Sequence, residues 1–326
     1  MKKISFIKST TFLLFFVISI CPQLIWSQGE LEKEPEEGIT YDSATGNYII
    51  RYYGFTTEDL VTAIYEPPTK IKPSVKATVE FKDGTYTYSY EVFNGKESIQ
   101  NLDEFGIECK VSLSEIVNPP GWMDGWYAYV PVFSWTEVEA DVLGPQAGIH
   151  HGSSTSGFSF KAKGLPSIVN SYFVGLVVHY EECFDEEGNS YPGSWESGIP
   201  FPDEPPEWVE EELKPIYRFP NEAVKGKTIG PVAPPEVFEP LSFLDNLISL
   251  KEQAYSLGWI DNKGILNSLN QKLEAAKKNI EKGKIETAKN ILGAFINEVE
   301  AQKEKHLSSE AYALLKFNAQ YLIENL

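Results

Sequence analysis

The stretch VKATVEFKDGTYTYSYEVF, residues 75–93, decides how the larger part of this chain folds. Val75, Ala77, Val79 and Phe81 alternate with Lys76, Thr78 and Glu80, the period-two pattern of a strand with one buried face. Asp83-Gly84 follows, a pair that supplies the two positive φ angles of a tight hairpin turn, and Thr85 to Phe93 reads as the return strand. Working outward, Tyr48–Tyr53 is β-rich, Ile107, Cys109, Val111 and Leu113 alternate, and Trp126–Val138, Gly157–Lys161 and Ser171–Tyr180 complete a series of short strands broken by Gly, Pro and Asn. No helical period intervenes. The expectation is an antiparallel β-sandwich (Ig-like or jelly-roll-like) over residues 39–200.

From Leu241 the spacing changes to threes and fours. Leu244, Leu247, Ile248, Ala254 and Tyr255 share one face. Ile265, Leu269, Leu273, Ala276 and Ile280 form a second, Ile285, Ala288, Leu292, Phe295 and Val299 a third, and Ala311, Leu314, Leu315 and Leu322 a fourth. Gly258 and Gly283 suit helix ends, because glycine takes the left-handed cap conformation at little cost, and Ser308 suits an N-cap. Leu307 and Tyr312 are placed for a hydrophobic staple around it. Four such segments with short connections predict a small antiparallel helical bundle over 241–326. Between the two, residues 201–240 carry nine prolines. Proline at that density opposes helix interiors and central strands, so the stretch reads as a Pro-rich linker that partly packs on its neighbours, with room for one helical turn at Trp208–Leu213. The chain is expected to be multidomain, all-β then all-α, in two separately folded bodies.

The 326-residue chain carries 28 Lys plus Arg against 47 Asp plus Glu, a formal charge of −19. Residues from Leu241 onward hold eleven lysines and eleven acids, so the acidic excess lies between Gln28 and Pro240. A field of that sign repels phosphate backbones, which disfavours nucleic-acid binding. At 42% hydrophobic and 13% aromatic the chain can bury substantial cores, which excludes wholesale disorder. Lys2, Lys3 and Lys8 precede the apolar run Phe12–Ile20, then Pro22 and Ile25-Trp26-Ser27, which reads as a secretory signal over 1–27. The run is shorter than the roughly 20 residues that span a bilayer. No transmembrane span is expected after signal removal. Ile20 before Cys21 is too large for a lipid-attachment box. Residues 28–38, with Glu30, Glu32, Glu34, Glu36 and Glu37, read as an acidic leader. The expected location is outside the cytoplasm: secreted, periplasmic or on the cell surface.

The run Gly264-Ile-Leu-Asn-Ser-Leu-Asn-Gln-Lys-Leu-Glu-Ala-Ala276, then Gly283, then Ala288-Lys-Asn-Ile-Leu-Gly-Ala-Phe-Ile-Asn-Glu-Val-Glu-Ala-Gln302, resembles the FIMAH family of small helical modules found at the C-termini of exported bacterial proteins. The likeness covers roughly 241–326 and departs at Lys303-Glu304-Lys305-His306, where the family leads one to expect a glycine. Such modules accompany many different domains, so the resemblance implies an accessory or docking role and no reaction. Tyr86–Phe105, with Gly157-Phe-Ser-Phe160 and Gly164-Leu-Pro166, resembles uncharacterised exported bacterial β-domains and implies no activity.

Several residues are candidates for chemistry. Trp122, Trp126, Tyr127 and Trp135 crowd one segment with Tyr129 and Phe133. Exposed, they would make a stacking platform for a sugar or protein partner; inward, they would fill a sandwich core. Gly121 and Asp124-Gly125 put Trp122 on a turn, which singles it out for binding. His150, His151, His179 and Asp185 could contribute to a metal site, although no helix-spaced pair is present. Glu181 to Asn189 offers oxygens for calcium but lacks the alternating spacing of a calcium loop and reads better as a hairpin tip. Cys109 and Cys183 could pair in an oxidising compartment, closing a loop of about 75 residues worth about 4 kcal/mol, or stay as two buried thiols. No nucleophile elbow appears, and carboxylate pairs are available to any acidic chain. The reading is an exported, non-catalytic binding or adhesion-type protein. An extracellular hydrolase acting on polymers and a structural envelope or matrix component are the alternatives.

Overall fold

The computed structural model describes residues 36–138, 147–177, 182–184, 190–192, 199 and 201–326. The leader over 1–27 and most of 28–38 lie outside them.

The 75–93 stretch forms the expected hairpin. Strands β4 (Pro73–Lys82) and β5 (Thr85–Asn94) pair through ten registered positions, and the two turn residues take φ of 52° at Asp83 and 77° at Gly84. Tyr86, Tyr88, Tyr90, Val92 and Asn94 of β5 are buried at every second position. The sheet continues β4-β5-β10-β7, with β7 at Leu113–Val117 and β10 at Ser153–Ala162. A second sheet runs β14-β11-β6-β9-β8, built from β6 (Leu102–Glu108), β8 (Trp122–Trp126), β9 (Val132–Glu137), β11 (Leu165–Gly175) and β14 (Val224–Val232), while among the described residues β12 (Glu182–Phe184) and β13 (Ser190–Pro192) pair only with each other. Every pairing is antiparallel. The two sheets close on an aromatic core in which Tyr88, Phe158 and Phe160 of one face Phe105, Phe133 and Trp135 of the other. The Phe105 and Trp135 rings stack at 5.6 Å and 3°. This is the β-sandwich.

Two parts of the chain do otherwise than the sequence leads one to expect. Strands β1 (Gly38–Asp42), β2 (Asn47–Tyr53) and β3 (Leu60–Tyr65) form a separate three-stranded sheet. Residues 201–240 are not a linker. Helix α1 (Glu207–Tyr217) turns Trp208, Val209, Leu213 and Tyr217 onto Ile50, Tyr52, Ala63 and Tyr65 of that sheet, and Val224–Val232 is strand β14. Pro215 lies inside the last turn of α1, where it costs one backbone hydrogen bond, and two others fall where their elements tolerate them. Pro206 is the N-cap of α1, outside its hydrogen-bonding core, and β14 is an edge strand, where Pro231 interrupts no central ladder. Asp203 pins the approach to α1 by accepting hydrogen bonds from the Thr57 amide at 2.8 Å and the Thr57 hydroxyl at 2.7 Å. Proline density here excludes neither a helix nor an edge strand, since Pro215 lies within α1 and Pro231 within β14.

The bundle comprises α2 (Pro240–Ser256), α3 (Lys263–Glu281), α4 (Ile285–Gln302) and α5 (Ser309–Asn325). Gly258 and Gly283 sit just past their helices at φ of 75° and 70°, and the Ser308 hydroxyl caps α5 by accepting from the Ala311 amide at 3.3 Å. The bundle is not a separately folded body. Helix α5 is buried nearly all round, the condition of a helix packed on two sides. Its Phe317 meets Tyr86 of β5 at 5.4 Å, and its Asn318 Nδ2 donates to the Pro166 carbonyl at 2.8 Å. One hydrophobic cluster runs from Trp135 in the sandwich to Leu273 in the bundle, and residues 36–326 form one compact unit.

Candidate functional site

A two-layer sandwich has two open sides, where the edge strands of both sheets end, and here the two sides differ. On one, β4 and β14 lie together and α5 packs across them. Glu310 of α5 is buried, and its Oε1 accepts the Ala77 amide of β4 at 2.6 Å, so a side chain satisfies an edge that would otherwise lack a partner. On the other side lie β7 and β8, separated by a cleft of about 500 Å³ lined by residues 109–113 with Ile116, Trp126 and Pro131; its one charged lining residue, Lys110, is paired with Glu108 at 3.2 Å.

The four aromatic candidates divide across this geometry. Trp122 is buried, edge-on to Phe158 at 5.0 Å, and Trp135 is fully buried with its Nε1 donating to Asn118 Oδ1 at 3.0 Å. Neither can stack on a ligand, because the period-two alternation of β8 and β9 turns both into the core. Tyr127 is held on the outer face of the five-stranded sheet, its ring stacked on Phe219 at 3.8 Å and its hydroxyl donating to Glu104 Oε2 at 2.8 Å. Trp126 is the one that reaches solvent, 50% exposed at the rim of the cleft, edge-on to Phe133. Ile116 and Val117 of β7 are exposed too, as are Met123 on the other face of β8 and Tyr129, which is almost wholly in solvent. The platform therefore reduces to one tryptophan with aliphatic neighbours that the sequence did not single out. Their signal was available: β7 and β8 are the strands whose apolar residues do not keep a clean alternation.

Beneath Tyr127 lies a carboxyl pair. Burial raises the Glu104 carboxyl, while hydrogen bonds from Tyr127 and Ser134 oppose the rise. Burial and then the neighbouring Glu104 charge push Glu222 up to about 7. The Phe219 ring that stacks on Tyr127 also meets Tyr172 at 5.2 Å. Paired carboxyls with raised acidity constants are what hydrolytic chemistry uses, and here Glu104 also accepts the Tyr127 hydroxyl, whose ring is stacked on Phe219. The arrangement holds segment 218–223 onto the sheet.

His150 and His151 are both exposed, while His179 and Asp185 lie outside the described residues, as does most of the proposed calcium tip at 181–189. Among the described residues no group of three or more His, Cys, Asp or Glu side chains is arranged to hold a metal ion. Cys109 is buried in the cleft lining and bonded to no other cysteine among the described residues, its thiol raised by burial, with Sγ 3.6 Å from the Val111 carbonyl. The side chain of Cys183 lies outside the described residues, so their pairing does too.

Fold and site together define a β-sandwich with one side plugged by a helical bundle and the other open. The bundle itself is recognisable: residues 244–324, spanning α2–α5, match the FIMAH domain. A search of curated proteins returns no match to the chain. No described helix is long and apolar enough to cross a membrane.

Proposed function

We propose that this chain is an exported, surface-associated binding protein that recognises its ligand at the open β7–β8 side of the sandwich. The FIMAH match supports the exported, surface-associated setting, as does the reading of residues 1–27 as a secretory signal. The observation that carries the recognition role is the asymmetry of the sandwich. A half-exposed Trp126 stands over an open cleft among exposed aliphatic residues, on the side away from the bundle. Exposed apolar groups gathered round a cleft and rimmed by polar ones are the usual marks of a recognition surface. The helical module acts as a fixed buttress on the far edge and leaves this side free.

The test is a screen of the purified chain against arrays of glycans and of surface proteins, repeated with Trp126→Ala. A ligand lost in that variant, while its thermal midpoint stays within a few degrees of the parent, supports the reading. Hits that survive the substitution unchanged, or no hits at all beside hydrolysis of a polymer, overturn it.

A further inference from the structure

Strand β8 pairs on one side only among the described residues, with β9. The Tyr127 amide donates to the Val132 carbonyl and the Val138 amide to the Gly121 carbonyl, which fixes positions 121, 123, 125 and 127 as those bonded to β9. In an antiparallel ladder the backbone groups of the residues between them point away from the partner strand. The Asp124 and Trp126 amides and carbonyls therefore face outward, on a strand whose residues 123–126 are all exposed. Buried or not, such groups form a template for a further strand. The facing edge, β7, is blunted by contrast: its pairing with β10 shifts register, Glu115 sits at φ 46°, and the Glu115 carboxylate is paired with Lys161. One edge of this side is closed to strand addition and one is open.

We propose that β8 binds an extended, basic segment of a partner polypeptide by antiparallel strand addition, with an apolar side chain of that segment seated beside Trp126 in the cleft. The proposal rests on the recognition reading above and names its partner. The side-chain pattern supplies the chemistry. Asp124 and Trp126 lie on the same face of β8, the face turned toward the cleft, with Asp124 Oδ1 accepting from Asn118 Nδ2 at 2.8 Å. A neighbouring strand would set its own i and i+2 side chains against these two, so a Lys or Arg against Asp124 and an aliphatic residue against Trp126 complete both pairs. The net charge of −19 steers a basic chain in and an acidic one away. The same charge argues against a second copy as the occupant. Antiparallel pairing of β8 with itself, centred on the five-residue strand, would oppose Asp124 to Asp124, a like-charge pair that destabilises a ladder.

The experiment uses the full chain and fluorescence anisotropy with three labelled synthetic peptides of alternating threonine with lysine or valine. One is unmodified, one has glutamate in place of lysine, and one carries N-methyl groups along the edge that would pair. Saturable binding of the first, weakened about tenfold or more in each of the other two, is expected. Asp124→Asn should abolish the preference for lysine over glutamate, and amide exchange at Asp124 and Trp126 should slow when the first peptide is bound. Equal binding of the N-methylated peptide, or no binding of any, overturns strand addition. In the second case a glycan hit lost in Trp126→Ala leaves the recognition reading standing, whereas its absence removes both.

Discussion

Single residues carry two consequences that can be measured. Glu304 holds φ at 60°, the left-handed region, where the FIMAH likeness leads one to expect a glycine before the last helix. A side chain there costs about 1–2 kcal/mol against glycine, partly offset by the greater freedom glycine gives the unfolded chain. Glu304→Gly should therefore stabilise the protein by about 0.5–1 kcal/mol, seen as a rise in the urea midpoint at unchanged slope. Glu222 gives the second. Its carboxyl rises from the ordinary 4.5 to about 7 in the folded chain, so the native state binds a proton that the unfolded state has already released between those values. The stability this proton confers is fully present below about 4.5 and is lost as pH rises through about 7. Glu222→Gln should stabilise by about 2–3 kcal/mol at pH 8 and by little at pH 4.5, read as the difference between parent and variant in denaturant melts at both values. An offset independent of pH would show that Glu222 is not the group responsible.

Elements show how far the sequence could be read. The 75–93 hairpin and the caps at Gly258, Gly283 and Ser308 were legible because each depends on residues adjacent in sequence. Trp122 was misread for the opposite reason. A tryptophan beside a Gly turn is exposed or buried according to the strand it enters, and β8 turns it inward onto Phe158. In the 201–240 stretch the sequence shows one turn at Trp208–Leu213 but not the three-turn α1, because α1 is held against Ile50, Tyr52 and Tyr65, about 150 residues earlier in the chain. Helix α5 shows the reverse case, a helix foreseen whose second buried face was not. Its Glu310 is nearly solvent-free, with Oε1 taken by the Ala77 amide and Oε2 near the Ser309 hydroxyl at 3.2 Å. Glu310→Ala leaves a buried edge amide without an acceptor and should cost about 2–3 kcal/mol. The isosteric Gln should recover part of that through its carbonyl, measured by thermal or urea unfolding of the three proteins. Equal stability of Ala and Gln variants would mean that the hydrogen bond contributes nothing.

At the scale of the whole molecule the question is whether sandwich and bundle can exist apart. Helix α5 faces both, with Leu314, Leu315 and Leu322 buried in the shared cluster and Phe317 against Tyr86 and Phe81. If α5 leaves, the bundle loses one wall and the sandwich exposes the β4 edge with its aromatic rim, so neither half keeps the burial that holds it together. The two should therefore unfold in one transition. With Trp208 and Trp259 replaced by Phe, tryptophan emission reports chiefly on the sandwich through Trp122 and Trp135, and ellipticity at the helical minimum reports chiefly on α2–α5. The two curves should share a midpoint, and Phe317→Ala, a change of the class that costs about 3–5 kcal/mol, should lower both together. Separate midpoints, or a Phe317→Ala effect confined to the helical signal, would show a tethered module rather than a fixed buttress. The open β7–β8 side would then be one of two movable faces, and the case for recognition there would lose its geometric ground.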